Sequence, residues 1–121
     1  MSTRTTVALV ALGGALGALA RWASPWPTLV TNVLGCLVMG ALVVALERRM
    51  PGRWARPLLA VGFLGGYTTF SAYTVDVARP LVDGDAGDAL VHLVATPVAA
   101  VLAVAVGVLV ARRLVPARDG T

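Results

Sequence analysis

Polar positions in this chain are gathered into a few short clusters, with long apolar runs between them. Residues 5–20, 22–46, 57–75 and 89–111 contain no Asp, Glu, Lys or Arg. A helix that crosses a bilayer needs about 20 mostly apolar residues. Each run is near that length, and the first extends further if Arg21 snorkels toward the interface. The pattern predicts four transmembrane helices, roughly 5–23, 28–46, 57–78 and 89–111. Little remains for anything else, so residues 1–121 read as a single four-helix transmembrane domain of an all-α membrane protein.

Composition excludes the soluble readings. Hydrophobic residues make up 58% of the 121 positions and charged residues only 13%. A small soluble domain has a high surface-to-volume ratio and needs more polar residues to cover it. A soluble four-helix bundle would also need a polar face on each helix, and residues 98–111 have none. Arg4, the first apolar run and Ala18-Leu19-Ala20 resemble a secretory signal peptide. The rest of the chain is equally apolar, which argues against that reading. Cys36 is the only cysteine and cannot form an intrachain disulfide.

The net charge of +4 comes with ten arginines and no lysine. In a soluble protein this would suggest nucleic acid. Here the arginines fall at helix ends, so they report topology, and no nucleic-acid partner is expected. Four spans put the N-terminus, the second loop and the C-terminus on one side. That side holds eight arginines: Arg4, Arg48, Arg49, Arg53, Arg56, Arg112, Arg113 and Arg118. The other side holds two, Arg21 and Arg79. The positive-inside rule then predicts a multi-pass protein of the cell (inner or plasma) membrane with both termini in the cytoplasm.

The third run contains Gly-Gly-Tyr-Thr-Thr-Phe-Ser-Ala-Tyr-Thr-Val-Asp, residues 65–76, which is unusually polar for its place. Gly65 and Gly66 each lower helix stability by about 1 kcal/mol relative to Ala. Thr68, Thr69 and Ser71 can compete for local backbone bonds. A break at membrane depth must be buried or line a water-filled cavity, and its freed carbonyls can coordinate a cation. Glycine and threonine alone equally allow a straight helix with small residues at a packing face. Phe70 and Tyr73 share a helix face, and the positive edges of their rings suit an anion. Ordinary aromatic packing explains that spacing as well.

Two GxxxG pairs, Gly13/Gly17 and Gly62/Gly66, mark close helix approaches. Asn32 is a costly residue at mid-membrane and has Thr28 one turn before it on the same face. His92 and Thr96 are followed by Pro97 in the fourth run, and residues 80–88 read as a turn-like loop. With one histidine and one thiol, no nucleophilic or His/Cys metal constellation is possible, so no enzyme is expected.

Three segments together resemble the Fluc (CrcB) family of fluoride channels. They are Gly-Gly-Ala-Leu-Gly-Ala-Leu-Ala-Arg-Trp at 13–22, Thr-Leu-Val-Thr-Asn-Val-Leu-Gly at 28–35 and Gly-Phe-Leu-Gly-Gly-Tyr-Thr-Thr-Phe-Ser at 62–71. The likeness covers nearly the whole chain. It implies passive export of fluoride by an antiparallel, dual-topology dimer with two narrow pores along the subunit interface. It also implies a break in the third helix and a structural sodium ion at the dimer centre, held by the backbone carbonyls of Gly65 and Thr68. The family's two pore-lining phenylalanines fall on Phe70 and Tyr73. Its pore asparagine falls on Asn32 with Thr28 in the same polar track, and its vestibule arginine on Arg21. Fluoride is small and strongly hydrated, so a pore must replace its water with donors. Asn32, the hydroxyls of Thr28, Thr69, Ser71 and Thr96, and ring edges would supply these as weak, multiple sites.

Departures from the family pattern carry their own expectations. The second aromatic is Tyr73, whose hydroxyl would donate to fluoride or narrow the path. His92 and Thr96 stand where the family usually has Tyr and Ser, and Ala100 stands where a further hydroxyl is expected. An arginine bias of eight to two suits one fixed orientation. The family includes homodimers and paired-gene heterodimers, and the bias points to a heterodimer with a paralogue. Two other functions fit the sequence less well. A small multidrug-type proton antiporter needs a carboxylate in the first helix, and residues 5–23 have none. A non-transporting membrane anchor would use His92 as a haem ligand and would not need the 65–71 motif.

Overall fold

The computed structural model describes residues 1–118 and is helical throughout its ordered elements. Helix α1 spans Thr3–Ala23 and α2 Thr28–Arg49. A π-helix, Arg56–Leu64, runs into the short α3, Gly65–Tyr67. Helix α4 spans Ser71–Val82 and α5 Ala86–Leu114. Among the described residues, four segments are long and apolar enough to cross a membrane: Thr3–Ala23, Thr28–Arg49, Arg56–Val82 and Ala86–Leu114. The protein is thus a multi-pass membrane protein, as the hydropathy pattern predicts.

Local chemistry sets the ends of these helices. Ser2 Oγ accepts the Thr5 N–H at 3.2 Å and caps α1, while Ser24 Oγ donates back to the Ala20 carbonyl at 2.8 Å. Pro25 and Pro27 then stop any continuation. Helix α2 runs on through Glu47, Arg48 and Arg49, past the expected end at 46, until Met50 turns left-handed (φ 45°). Long charged side chains at a helix end reach the headgroups, so charge does not end the helix. Helix α5 likewise extends beyond 89–111 at both ends, and Asp85 caps it by accepting the Asp88 N–H at 3.0 Å. Pro80 lies within α4 and not in a loop; the turn comes at Gly84 (φ 82°). The π-helical winding of Arg56–Leu64 is a further difference, and nothing in the apolar pattern marks it.

Packing is inverted relative to a water-soluble protein. The buried apolar residues are mostly small: Ala55, Ala60, Ala89, Ala103 and Ala111, with Val44 and Leu64. Large side chains such as Leu12, Leu19, Val101, Leu102 and Leu109 face outward. Lipid tails are as apolar as leucine, so helices associate through small residues that let backbones meet. Two such seams exist. Helix α1 packs on the π-helix and α3, and α2 packs on α5. In the first seam Gly13 meets Gly62, Gly17 lies against the backbone of Phe63 and Tyr67, and Gly66 against that of Gly14, so the two GxxxG motifs share one seam; a methyl on Gly62 would stand 2.9 Å from the Gly13 Cα. In the second, Gly40 lies against the Val104 carbonyl and Gly107 against the Leu37 carbonyl. Arg48 ties the ends of that pair by donating to the Arg112 carbonyl at 2.9 Å and to the Val115 carbonyl.

Candidate functional site

The site forms where helical winding stops between α3 and α4. Thr68 is extended (φ −81°, ψ 153°), and regular helix resumes at Ser71. Backbone groups released there need new partners, and side chains supply them. Asn32, 7% exposed on α2, donates from Nδ2 to the Thr69 carbonyl at 2.8 Å and accepts the Thr69 N–H on Oδ1 at 2.8 Å. Thr69 Oγ1 accepts the Ala72 N–H at 3.2 Å and lies 3.1 Å from Ser71 Oγ. Thr68 Oγ1 donates back to the Leu64 carbonyl at 2.9 Å.

The carbonyls of Gly65 and Thr68 are among those that lose their helical donors at this break. In a continuous α-helix the Thr69 N–H would bond to the Gly65 carbonyl and the Ala72 N–H to the Thr68 carbonyl. Here the first goes to Asn32 and the second to the Thr69 side chain.

Beside this point lies a recess of about 230 Å³. Asn32, Thr68, Thr69, Phe70, Tyr73 and Thr96 line it, with Cys36, Pro97 and Ala100. Five of the eight predicted pore residues therefore converge. Phe70 and Tyr73 are in contact, with ring centroids 5.5 Å apart and planes tilted by 52°. Phe70 projects outward at 75% exposure. Thr96 is buried. The remaining three lie outside the recess lining. Thr28 is the first residue of α2, half-buried, one turn before Asn32. Ser71 is exposed and bonded to Thr69. Arg21 lies in the last turn of α1, and its buried Nε has no hydrogen-bond partner.

Several features of the site emerge only in the packed structure. Thr31 is buried beside Asn32, and Gly35 makes room for the Thr68 methyl. The Tyr73 hydroxyl donates to the Leu93 carbonyl at 2.6 Å instead of pointing at the recess as a free donor. Pro97 was the available signal for this bond, because a proline removes the donor of the carbonyl four residues earlier. His92 Nε2 lies 3.7 Å from Asp88 on the same helix.

Known proteins resemble this chain over most of its length. The family described as CrcB-like protein, Camphor Resistance (CrcB), matches residues 8–108. The chain belongs to the CrcB family. Among CrcB relatives, a protein of Streptomyces coelicolor named fluoride-specific ion channel FluC 1 is 43% identical, over 93% of this chain and 81% of that protein. One of Rhodococcus jostii with the same name is 44% identical, over 93% of this chain and 90% of its own. A third, from Chelativorans, named fluoride-specific ion channel FluC, is 42% identical over 88% of this chain and 95% of that protein. These CrcB relatives are named as ion channels and not as enzymes.

Proposed function

We propose that this chain is a subunit of a fluoride channel that lets fluoride leave the cytoplasm by passive, electrodiffusive flow. The observation that carries the reading is its identity of over 40% to CrcB relatives named as fluoride-specific channels. The site supports it chemically. The recess combines a carboxamide, hydroxyls and aromatic ring edges, with no acidic side chain in its lining. Such donors replace the water of a small anion without the grip of an arginine, so the ion can leave again. Arg21, with its Nε unpaired, raises the potential for an anion on approach.

In this proposal the recess is half of a pore, completed by a second, antiparallel subunit. The outward ring of Phe70 supports this, as does a recess that brings Asn32 and three threonines to the surface of a lipid-facing bundle. The carbonyls of Gly65 and Thr68 would hold a structural sodium ion at the dimer centre. Their fit is chemical: oxygen donors freed from helical bonding suit a hard cation. Two carbonyls are a sparse set, and an opposed subunit with the same break would double it. The arginine bias favours one orientation, with both termini cytoplasmic, and hence a heterodimer with a paralogue.

Fluoride efflux from liposomes tests the reading. The chain is reconstituted alone and with its paralogue, with chloride as control. The expected result is rapid fluoride-selective efflux in the co-reconstituted sample. Absence of fluoride efflux in both samples would overturn the proposal.

A further inference from the structure

Tyr73 and Pro97 lie on different helices, 24 positions apart in the chain, and both line the recess. Pro97 sits inside α5. A proline has no N–H, so the carbonyl four residues earlier, that of Leu93, has no α-helical donor. An unpaired carbonyl at membrane depth is costly because lipid offers nothing to replace the bond. The Tyr73 hydroxyl reaches across from α4 and donates to that carbonyl at 2.6 Å. Helices α4 and α5 pack together here, so the bond joins two elements already in contact.

We infer that Tyr73 is a positioning residue whose hydroxyl stands in for the helical donor that Pro97 lacks. The tyrosine hydroxyl has one proton to donate, and the Leu93 carbonyl takes it. Toward the recess Tyr73 therefore presents its ring, and fluoride receives no hydroxyl proton from it. The bond also fixes the ring at both ends. Its Cβ is held by α4, its hydroxyl by α5, and the Phe70 ring lies beside it with centroids 5.5 Å apart. Pro97 is then the reason a tyrosine is useful at position 73: with an amide at 97, the Leu93 carbonyl would already have its helical donor. The role in ion passage rests on the channel reading above; the bond itself does not.

The test is a double-mutant cycle of Tyr73→Phe, Pro97→Ala and the double variant, each prepared with the paralogue if efflux requires it. Thermal unfolding in detergent and fluoride efflux are both measured. Y73F leaves the Leu93 carbonyl unpaired, so Tm falls by a few degrees and efflux by roughly tenfold as the ring loses its anchor. P97A restores an N–H to Leu93, so Y73F made in that background has little effect on Tm and efflux returns to within about twofold of P97A. Additive Tm changes around the cycle would overturn the inference. So would an equal loss of efflux from Y73F in both backgrounds, because that would make the hydroxyl a direct partner of the ion. Coupled Tm changes with no fluoride efflux from the wild-type protein would leave the Tyr73–Pro97 link standing and overturn the channel reading instead.

Discussion

The Asn32 carboxamide faces the backbone of Thr69 as a second peptide group would, with Nδ2 on the carbonyl and Oδ1 on the N–H, both at 2.8 Å. A single side chain on α2 thus satisfies both polar groups of a residue that has left the helix. It also redirects the N–H that would otherwise close on the Gly65 carbonyl.

Replacing Asn32 should therefore weaken the fold as well as any transport. Asn32→Ala leaves the part-buried N–H and carbonyl of Thr69 without their partner, at up to about 1–3 kcal/mol each. Asn32→Asp keeps the acceptor but turns a carboxylate oxygen toward the Thr69 carbonyl, and should be no better. Thermal unfolding of the purified variants in detergent checks this. A Tm for N32A equal to that of the wild type would show that the paired bonds contribute nothing.

The adjacent glycines 65 and 66 should respond in opposite ways to alanine. A methyl on Gly66 would run into the Gly14 carbonyl, whereas one on Gly65 meets nothing within 4 Å. Overpacking in Gly66→Ala should cost about 1–3 kcal/mol. Gly65→Ala should leave the subunit's fold intact, because alanine is the better helix former. Unfolding of both variants by a denaturing detergent separates them, and equal losses would refute the seam described for α1 and the π-helix.

If sodium binds at the Gly65 and Thr68 carbonyls, the protein should melt at a higher temperature in sodium chloride than in N-methylglucamine chloride, since a ligand of the folded state stabilises it. Thr69→Val removes the hydroxyl that takes the Ala72 N–H. That N–H can return to the Thr68 carbonyl, so the sodium-dependent gain in Tm should shrink. An unchanged gain in T69V would separate the Thr69 hydroxyl from cation binding.

Orientation should be single. Fluorescent-protein and alkaline phosphatase fusions at the C-terminus should report the cytoplasmic side alone, as expected from eight arginines against two. Equal signals from both reporters would return the chain to a dual-topology homodimer.

How much of this was legible beforehand differs by residue. Apolar run length predicted four spans, because the thickness of a bilayer sets a length that sequence states directly. The helix ends were misplaced at Arg49, Val82 and Leu114, because snorkelling and caps act over a few residues and leave the hydropathy pattern unchanged. Gly13, Gly17, Gly62 and Gly66 were marked as close-approach positions by their spacing, yet only the packed structure made them one seam. Gly40 and Gly107, which meet α5 and α2 backbone in the same way, stand outside any GxxxG spacing.

The sequence by itself determined the residue types available at the site: a carboxamide on α2, hydroxyls and aromatics in the third span, and a proline in the fourth. It left open whether residues 65–71 stay helical, because glycine and threonine serve either outcome. Tertiary structure decided that, by placing Asn32 where both polar groups of Thr69 find partners. It also decided what Tyr73 does. A hydroxyl's role depends on which acceptor lies within hydrogen-bond reach, and the Leu93 carbonyl comes within reach only once α4 is packed against α5.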